Sequence, residues 1–154
     1  MCCALCGCSK SETADITPIT NGFKCDFSIK DSDLSGELSV NQDGYLTVIF
    51  SGPDIINGTS ISVKEEIIII EVQGVTEQYA RSTVPDDSPA LYIYDALLAA
   101  DGIEPEIIDD EIQISGICRS GDFTAVLSGT GFLNSITLQD TGTTLSFRNP
   151  VRIN

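Results

Sequence analysis

From Asn21 onward, apolar and polar residues mostly alternate along the chain, which is the pattern of half-buried β-strands. Phe23, Cys25, Phe27 and Ile29, for example, alternate with polar residues and define one apolar face. Asp43-Gly44 is a hairpin signal between two such segments. The pattern predicts about ten strands in an antiparallel meander. Further apolar positions are Leu34, Leu38, Val40, Ile61, Val63, Ile112, Ile114, Cys118, Phe123, Ala125, Leu127, Phe132, Ile136, Leu138, Leu145 and Phe147.

One segment, Pro89–Ala100, has the period of an α-helix rather than that of a strand. Ser88 is placed to cap its N-terminus, proline suits the first helical position, and Gly102 suits the stop. One face combines Leu91, Tyr94, Leu97 and Leu98. Because its flanks are also apolar, we expect the helix to be largely buried in a concave sheet.

Two segments lack a simple alternation. Ile67–Ile70 is apolar at every position, which favours a central strand covered on both faces. After the helix comes an acidic cluster, which we interpret as a solvated loop; it contains Asp101, Glu104, Glu106, Asp109, Asp110 and Glu111.

The composition of the chain says little about its fold but excludes several classes of function. The 154 residues suit one domain, and they include 23 acidic and 8 basic residues, for a net charge of −15. Such a surface repels nucleic acid and anionic lipid headgroups. The chain contains no histidine, which excludes Ser-His-Asp and Cys-His catalysis. We predict that the protein is not an enzyme and has no cofactor or metal site.

Four of the six cysteines lie within the first eight residues, and three interpretations compete. Cys3, Cys6 and Cys8 are close enough to bind zinc, but a structural zinc site normally takes a second ligand pair from a distant turn. Only Cys25 and Cys118 remain for that purpose, and each lies in a separate strand-like segment. A disulfide cluster is disfavoured because such short spacings strain the bridges. The third interpretation is a targeting signal.

Leu5-Cys6-Gly7-Cys8 resembles the lipobox of bacterial lipoproteins, in which a leucine and two small residues precede the lipid-modified cysteine. The resemblance predicts lipid attachment at Cys8 and an extracytoplasmic domain anchored to the cell membrane. A signal peptide also has a basic start and an apolar stretch of about 7–15 residues, so we expect either that the true start codon lies upstream or that the N-terminus has been trimmed. Residues 1–8 are then a signal-peptide remnant, 9–20 a flexible tether, and 21–154 a single β domain.

Cys25 and Cys118 both fall on apolar faces of predicted strands. An extracytoplasmic protein permits a disulfide between them. Two buried free thiols explain the same positions equally well.

The order of these elements is similar to small lipoproteins of the LolA/LppX-like family. Gly36–Val40 and Gly44–Val48 resemble the family's second and third strands, and Ser51–Gly58 resembles the connection that follows them. The helix lies where the family's lid helix belongs, and Gly121–Leu127 and Leu145–Phe147 resemble its closing strands. The resemblance implies a mainly β (α+β) fold: a strongly curved antiparallel sheet forming an unclosed barrel, with one helix in its concave face.

The resemblance also implies a function, because larger relatives hold lipid or acyl chains in the concave face. The residues expected to line such a cavity are Phe23, Phe27, Leu38, Val48, Leu91, Tyr94, Leu98, Phe123, Leu127 and Phe147. The same side chains also suit an ordinary filled core. The expected partners are therefore the membrane, through the lipid anchor, and a lipid or other hydrophobic ligand. The alternative is a structural or interaction module that binds proteins of the cell envelope without a cavity.

Overall fold

The structure is a computed structural model that describes residues 12–85 and 88–154. These residues form twelve strands, one α-helix (α1, Pro89–Ala100) and two short 3-10 turns (Asp54–Ile56 and Arg81–Thr83). The strands are β1 (Glu12–Thr13), β2 (Phe23–Ile29), β3 (Ser35–Val40), β4 (Leu46–Gly52), β5 (Ser60–Lys64), β6 (Ile67–Val72), β7 (Val75–Ala80), β8 (Glu106–Ile108), β9 (Glu111–Cys118), β10 (Gly121–Leu127), β11 (Leu133–Leu138) and β12 (Thr143–Arg152). No helix in the two described ranges is long and apolar enough to span a membrane.

All twelve strands belong to one sheet, in the order β1-β8-β9-β10-β11-β12-β2-β3-β4-β5-β6-β7. Every neighbouring pair is antiparallel. The two halves of the sheet meet where the last strand, β12, pairs with β2. The ends of the sheet, β1 and β7, do not pair with each other, so the curved sheet is an unclosed barrel. The predicted fold class is confirmed.

The helix α1 links β7, at one end of the sheet, to β8, beside the other end. It lies across the concave face and packs against β4, β5 and β9. Its bounds are those predicted, with a proline at the start and Gly102 at φ +81° after the end. The Ser88 side chain does not cap it; instead the Ser88 carbonyl oxygen accepts hydrogen bonds from the N–H groups of Leu91 and Tyr92, at 3.0 and 3.1 Å.

The core lies between the concave face and α1. In β2 the burial alternates as the sequence predicts, with Phe23, Cys25 and Phe27 inside and Lys24 and Asp26 outside. Aromatic rings meet edge to face within this core, as Phe27 and Phe50 do at a centroid distance of 5.9 Å.

The prediction that Ile67–Ile70 is a central, fully covered strand is wrong. This segment forms β6, the neighbour of the end strand β7. Only Ile68 is buried; Ile67 is 41% exposed and Ile69 and Ile70 are half-buried. The reason is that α1 packs against β4 and β5, so much of β6 has no second layer over it.

The predicted boundary between tether and domain is corrected by the residues before Asn21. Glu12 and Thr13 form β1 and pair with β8. Ala14 and Ile19 are buried, and the Ile19 N–H donates to the carbonyl oxygen of Gly131 at 2.8 Å. The domain therefore includes residues from Glu12 onward, because two apolar side chains pack against it. Residues 1–11 lie outside the described part of the chain.

The acidic cluster is only partly the solvated loop that the sequence predicts: Asp101 and Glu104 lie in the connection after α1, but the cluster continues into a hairpin. Glu106–Ile108 is β8, and it forms a hairpin with β9 through Asp109 and Asp110. Both turn residues have positive φ, 51° and 66°, a conformation that aspartate tolerates better than most residues. The six carboxylates, all exposed, are thus divided between this connection, the turn and the ends of the two strands, at Glu106 and Glu111.

The close approach of β3 and β4 at Gly36 gives a prediction about stability. A Cβ atom at position 36 would collide with the backbone carbonyl of Ile49 and with the Phe27 ring. We expect Gly36→Ala to lower the free energy of unfolding by about 1–3 kcal/mol, as overpacking does, measured by chemical denaturation. Gly129→Ala is the control, because a Cβ there meets nothing within 4 Å. Equal stability of the two variants would contradict this account.

Candidate functional site

Eight of the ten residues predicted to line a cavity lie together in the core between the sheet and α1. These residues are Phe23, Phe27, Leu38, Val48, Leu91, Phe123, Leu127 and Phe147. Three of them, Leu38, Val48 and Leu91, have no exposed surface at all. A side chain that lines an acyl-sized space exposes surface to that space. In this conformation the concave face is therefore filled by side chains at these positions.

The other two predicted residues, Tyr94 and Leu98, lie at the border of α1 rather than inside. Leu98 is 65% exposed. Tyr94 is half-buried, and its hydroxyl oxygen accepts a hydrogen bond from the Glu65 N–H at 2.6 Å. The buried face of α1 is formed instead by Leu91, Ile93 and Leu97 together with three alanines. The predicted helix face was thus correct at Leu91 and Leu97 but wrong at Leu98.

A groove of about 320 Å³ opens at this border, and we call it the rim groove. Its lining residues are Thr20, Asn21, Val40, Gln42, Asp43, Gly44, Leu46, Lys64, Glu65, Tyr94, Leu97, Leu98 and Asp101. Val40, Leu46 and Leu97 are also members of the core. The groove therefore lies over the edge of the apolar core, beside the exposed Leu98.

The charges around the rim groove are mostly negative. Asp43, Glu65 and Asp101 line it, against a single basic residue, Lys64. The Lys64 ammonium group lies 4.7 Å from the centre of the Tyr45 ring, a cation–π contact. An anionic ligand would meet more repulsion than attraction here.

A buried ion pair lies on the same border, where α1 passes the 3-10 turn that follows β7. The Arg81 guanidinium donates two hydrogen bonds to the Asp95 carboxylate, at 2.8 and 2.7 Å. The Ser120 hydroxyl also donates to this carboxylate, at 2.8 Å. Arg81 is 2% exposed and Asp95 is 6% exposed. We call these three residues the Asp95 cluster.

The Asp95 cluster joins three parts of the molecule. Arg81 follows β7 at one end of the sheet, Asp95 belongs to α1, and Ser120 lies between β9 and β10 in the other half. A second ion pair, Arg119 with Glu66 at 3.3 Å, links the same two halves at the surface. The cluster therefore fastens the helix to both sides of the open barrel.

Sequence reasoning did not identify Arg81 or Asp95. One signal was available, because Asp95 is the only charged residue in the helix Pro89–Ala100. A carboxylate in a helix expected to be largely buried requires a cationic or hydrogen-bonding partner. With only 8 basic residues in the chain, few partners were available.

The proposed disulfide between Cys25 and Cys118 is not present, because both are free thiols. Cys25 is in β2 and Cys118 is in β9, with β10, β11 and β12 between them in the sheet. Burial, together with the charges of Asp26 and Glu37, raises the pKa of Cys25 to about 12, which keeps this thiol protonated at neutral pH. Cys118 donates to the carbonyl oxygen of Gly121 at 3.2 Å. Burial is also the main cause that raises its pKa.

The lipid-attachment residue predicted from the sequence, Cys8, lies outside the described residues. It remains a prediction, together with the membrane anchor. No group of three or more metal-ligating side chains is found within residues 12–85 and 88–154.

Taken together, these features define the class of architecture: an unclosed antiparallel half-barrel whose mouth is crossed by one helix. An uncharacterized conserved protein from Thermus thermophilus has a similar structure, with a TM-score of 0.55, 9% identity, and coverage of 88% of this chain and 81% of that one. At this identity the likeness concerns the fold alone.

Solved structures of the expected family are also similar. A LolA superfamily protein from Nitrosomonas europaea gives a TM-score of 0.46 at 13% identity, covering 90% of this chain and 89% of its own. The Mycobacterium tuberculosis lipoprotein LppX gives 0.39 at 14% identity, covering 87% and 90%. These two structures bear the names of the family that the sequence resembles. No protein-family model matches the chain, and no curated protein matches its sequence.

The Asp95 cluster gives a prediction about stability. Asp95→Ala leaves the Arg81 guanidinium buried without its carboxylate, so we expect a loss of about 3–5 kcal/mol in the free energy of unfolding. The double variant Arg81→Met with Asp95→Leu removes both charges and should recover most of that loss. Denaturant titration measures both.

The surface pair provides the matched control. Glu66→Gln breaks the ion pair with Arg119; the Glu66 side chain is 74% exposed and that of Arg119 is 45% exposed. The free energy of unfolding should therefore fall by less than about 1 kcal/mol. A loss for Asp95→Ala no larger than that of Glu66→Gln would show that the buried pair is not important for stability.

Proposed function

We propose that this protein is a non-catalytic, extracytoplasmic lipoprotein, anchored to the membrane through Cys8, whose domain binds an apolar ligand at the rim groove. The observation that carries the ligand-binding part is the groove itself, which lies over the edge of the core and is bordered by Leu98 at 65% exposure. The resemblance of residues 5–8 to a lipobox supports the anchor. The resemblance of the β domain to LolA/LppX-like proteins supports a hydrophobic ligand.

The chemistry of the groove restricts the ligand. Its volume of about 320 Å³ lies within the range of small-molecule sites. The core beneath is filled, and Val40, Leu46 and Leu97 are at most 5% exposed, so a ligand meets apolar surface mainly at Leu98. Three carboxylates and one ammonium group surround this surface. The ligand class that fits is an apolar chain or ring system whose polar end is neutral or cationic.

The absence of catalysis is supported by the chemistry of the ionisable groups. The chain has no histidine, the side chain that most often serves as a general base. The carboxylate of Asp95, which is buried, is engaged by Arg81 and Ser120. These contacts give it a structural role in holding α1.

Ligand binding can be tested with Nile red, a neutral apolar dye whose fluorescence rises in apolar surroundings. We expect saturable binding to the purified protein and about tenfold weaker binding to Leu98→Asp, because a carboxylate replaces the apolar border of the groove. Ile55→Asp is the control, since Ile55 is 90% exposed and does not line the groove. Equal affinity of the two variants would contradict binding at the rim groove.

The anchor can be tested in the native host by metabolic labelling with an alkyne-bearing fatty acid. We expect the protein to be labelled and to fractionate with membranes, and Cys8→Ala to lose both properties. Cys6→Ala should keep the label, because a small residue at that position preserves the lipobox. Labelling that survives Cys8→Ala would exclude this cysteine as the attachment site.

A second candidate function is interaction with a protein of the cell envelope. The observation that favours it is the outer edge of β7, the end strand of the sheet, whose six residues are all exposed. This surface is separate from the rim groove, because no residue of β7 lines that groove.

A further inference from the structure

The β6–β7 hairpin ends the sheet with a regular strand that has no neighbour on its outer side among the described residues. All six residues of β7 pair with β6, from Val75 opposite Val72 to Ala80 opposite Ile67, without a bulge. Every one of them is exposed. The strand therefore extends along the free edge with an accessible backbone.

The direction of the backbone groups follows from one hydrogen bond at the end of this hairpin. The Arg81 N–H donates to the carbonyl oxygen of Glu66 at 2.8 Å, so it points toward β6. Because these groups alternate along an antiparallel strand, the N–H and C=O groups of Thr76, Gln78 and Ala80 point outward. The Ala80 oxygen accepts from the Thr83 hydroxyl at 2.7 Å. Thr76 and Gln78 thus offer both a donor and an acceptor to a further strand.

The two ends of the sheet differ in how they are protected. Natural sheets protect their edges with very short strands, charged side chains, proline or bulges. The β1 end is only two residues long. The β7 end has six residues with no proline or bulge, and Glu77 is its one charged residue. Of the two ends, β7 is the one that can accept an added strand.

The side chains of β7 indicate which strand would fit. Cross-strand partners share a face, so Val75, Glu77 and Tyr79 lie on the same face as the buried Ile68. Val75 is 64% exposed and Tyr79 is 37% exposed. Between Glu65 and Ala80 the only charged residues are four glutamates. Apolar side chains opposite Val75 and Tyr79 and a basic one opposite Glu77 would complete this face.

We propose that the outer edge of β7 binds an extended segment of a partner protein by strand addition, with apolar side chains flanking a lysine or arginine. This inference deepens the second candidate function and is independent of ligand binding at the rim groove. A basic segment fits better than a second copy of the chain, because each copy has a net charge of −15 and brings another Glu77.

The test uses the full-length protein under reducing conditions and a fluorescent peptide, TVTKTIT. Its antiparallel addition places the lysine opposite Glu77 and apolar residues opposite Val75 and Tyr79. The control peptide is TVTETIT, which places a glutamate there. Fluorescence anisotropy should show saturable binding of the lysine peptide and about tenfold weaker binding of the glutamate peptide, since like charges opposite each other are unfavourable.

Two variants separate strand addition from general attraction to an acidic surface. Gln78→Pro removes an outward N–H group while keeping the hydrogen bonds to β6, because proline is tolerated where the N–H faces away from the sheet. We expect it to weaken binding of the lysine peptide about tenfold. Gln78→Ala keeps that N–H and should bind within about twofold of the unmodified protein. Glu77→Lys should reverse the preference, so that TVTETIT binds more tightly.

Three results would overturn the proposal. The first is no saturable binding of TVTKTIT. The second is binding unaffected by both Gln78→Pro and Glu77→Lys, which means nonspecific attraction; the charge reversal decides this if the proline variant fails to fold. The third is self-association of the protein, measured by sedimentation, that Gln78→Pro abolishes. This result would mean that the β7 edge binds a second copy of the chain. Nile red binding is the independent readout of the rim groove, so failure of either proposal is recognised separately.

Discussion

The buried ion pair between Arg81 and Asp95 is the interaction on which the arrangement of helix and sheet depends. A curved sheet that does not close exposes an apolar concave face, and α1 is the one helix that covers it in the described chain. Apolar contacts are not directional, so they permit a helix to slide across such a face. The paired guanidinium and carboxylate prevent such sliding, because displacement of the helix would leave two buried charges without partners. The position of α1, and with it the rim groove, follows from this constraint.

The filled interior and the open surfaces are consequences of the same geometry. Because α1 packs against β4, β5 and β9, its side chains fill the space above those strands. The helix leaves two regions uncovered: the border at Leu98, and the β6–β7 hairpin beyond β5. In a domain built in this way, the surfaces left accessible lie at the margins of the helix rather than in a central cavity. The acidic side chains at both margins favour neutral or basic partners.

The sequence predicts the strands and the helix well because their signals are local. The alternation in β2 reflects the pleat of a strand, whose side chains point to opposite faces, and the proline and Gly102 define the helix ends. The strand order is not local. The isoleucines of β6 have the composition of a covered strand, yet β6 lies beside β7, the end strand of the sheet.

The difference between local signals and strand order also explains what the sequence predicted of the candidate site. The alternation of apolar and polar residues correctly placed Cys25 on the core side of β2. Only the strand order shows that three strands separate Cys25 from Cys118. Arg81 has no local signal, since it follows a strand whose residues are all exposed and becomes buried only when Asp95 is brought to it.

The start of the fold at Glu12 has a consequence for the proposed anchor. With lipid on Cys8, only residues 9–11 lie between the anchor and β1, and a fully extended chain spans at most about 3.5 Å per residue, or roughly 14 Å from Cys8 to Glu12. The β1 end of the sheet would therefore be held close to the membrane rather than on a long tether. Anionic headgroups repel a domain with a net charge of −15. The short connection and this repulsion oppose each other, which favours orientations in which the most acidic surfaces face away from the bilayer.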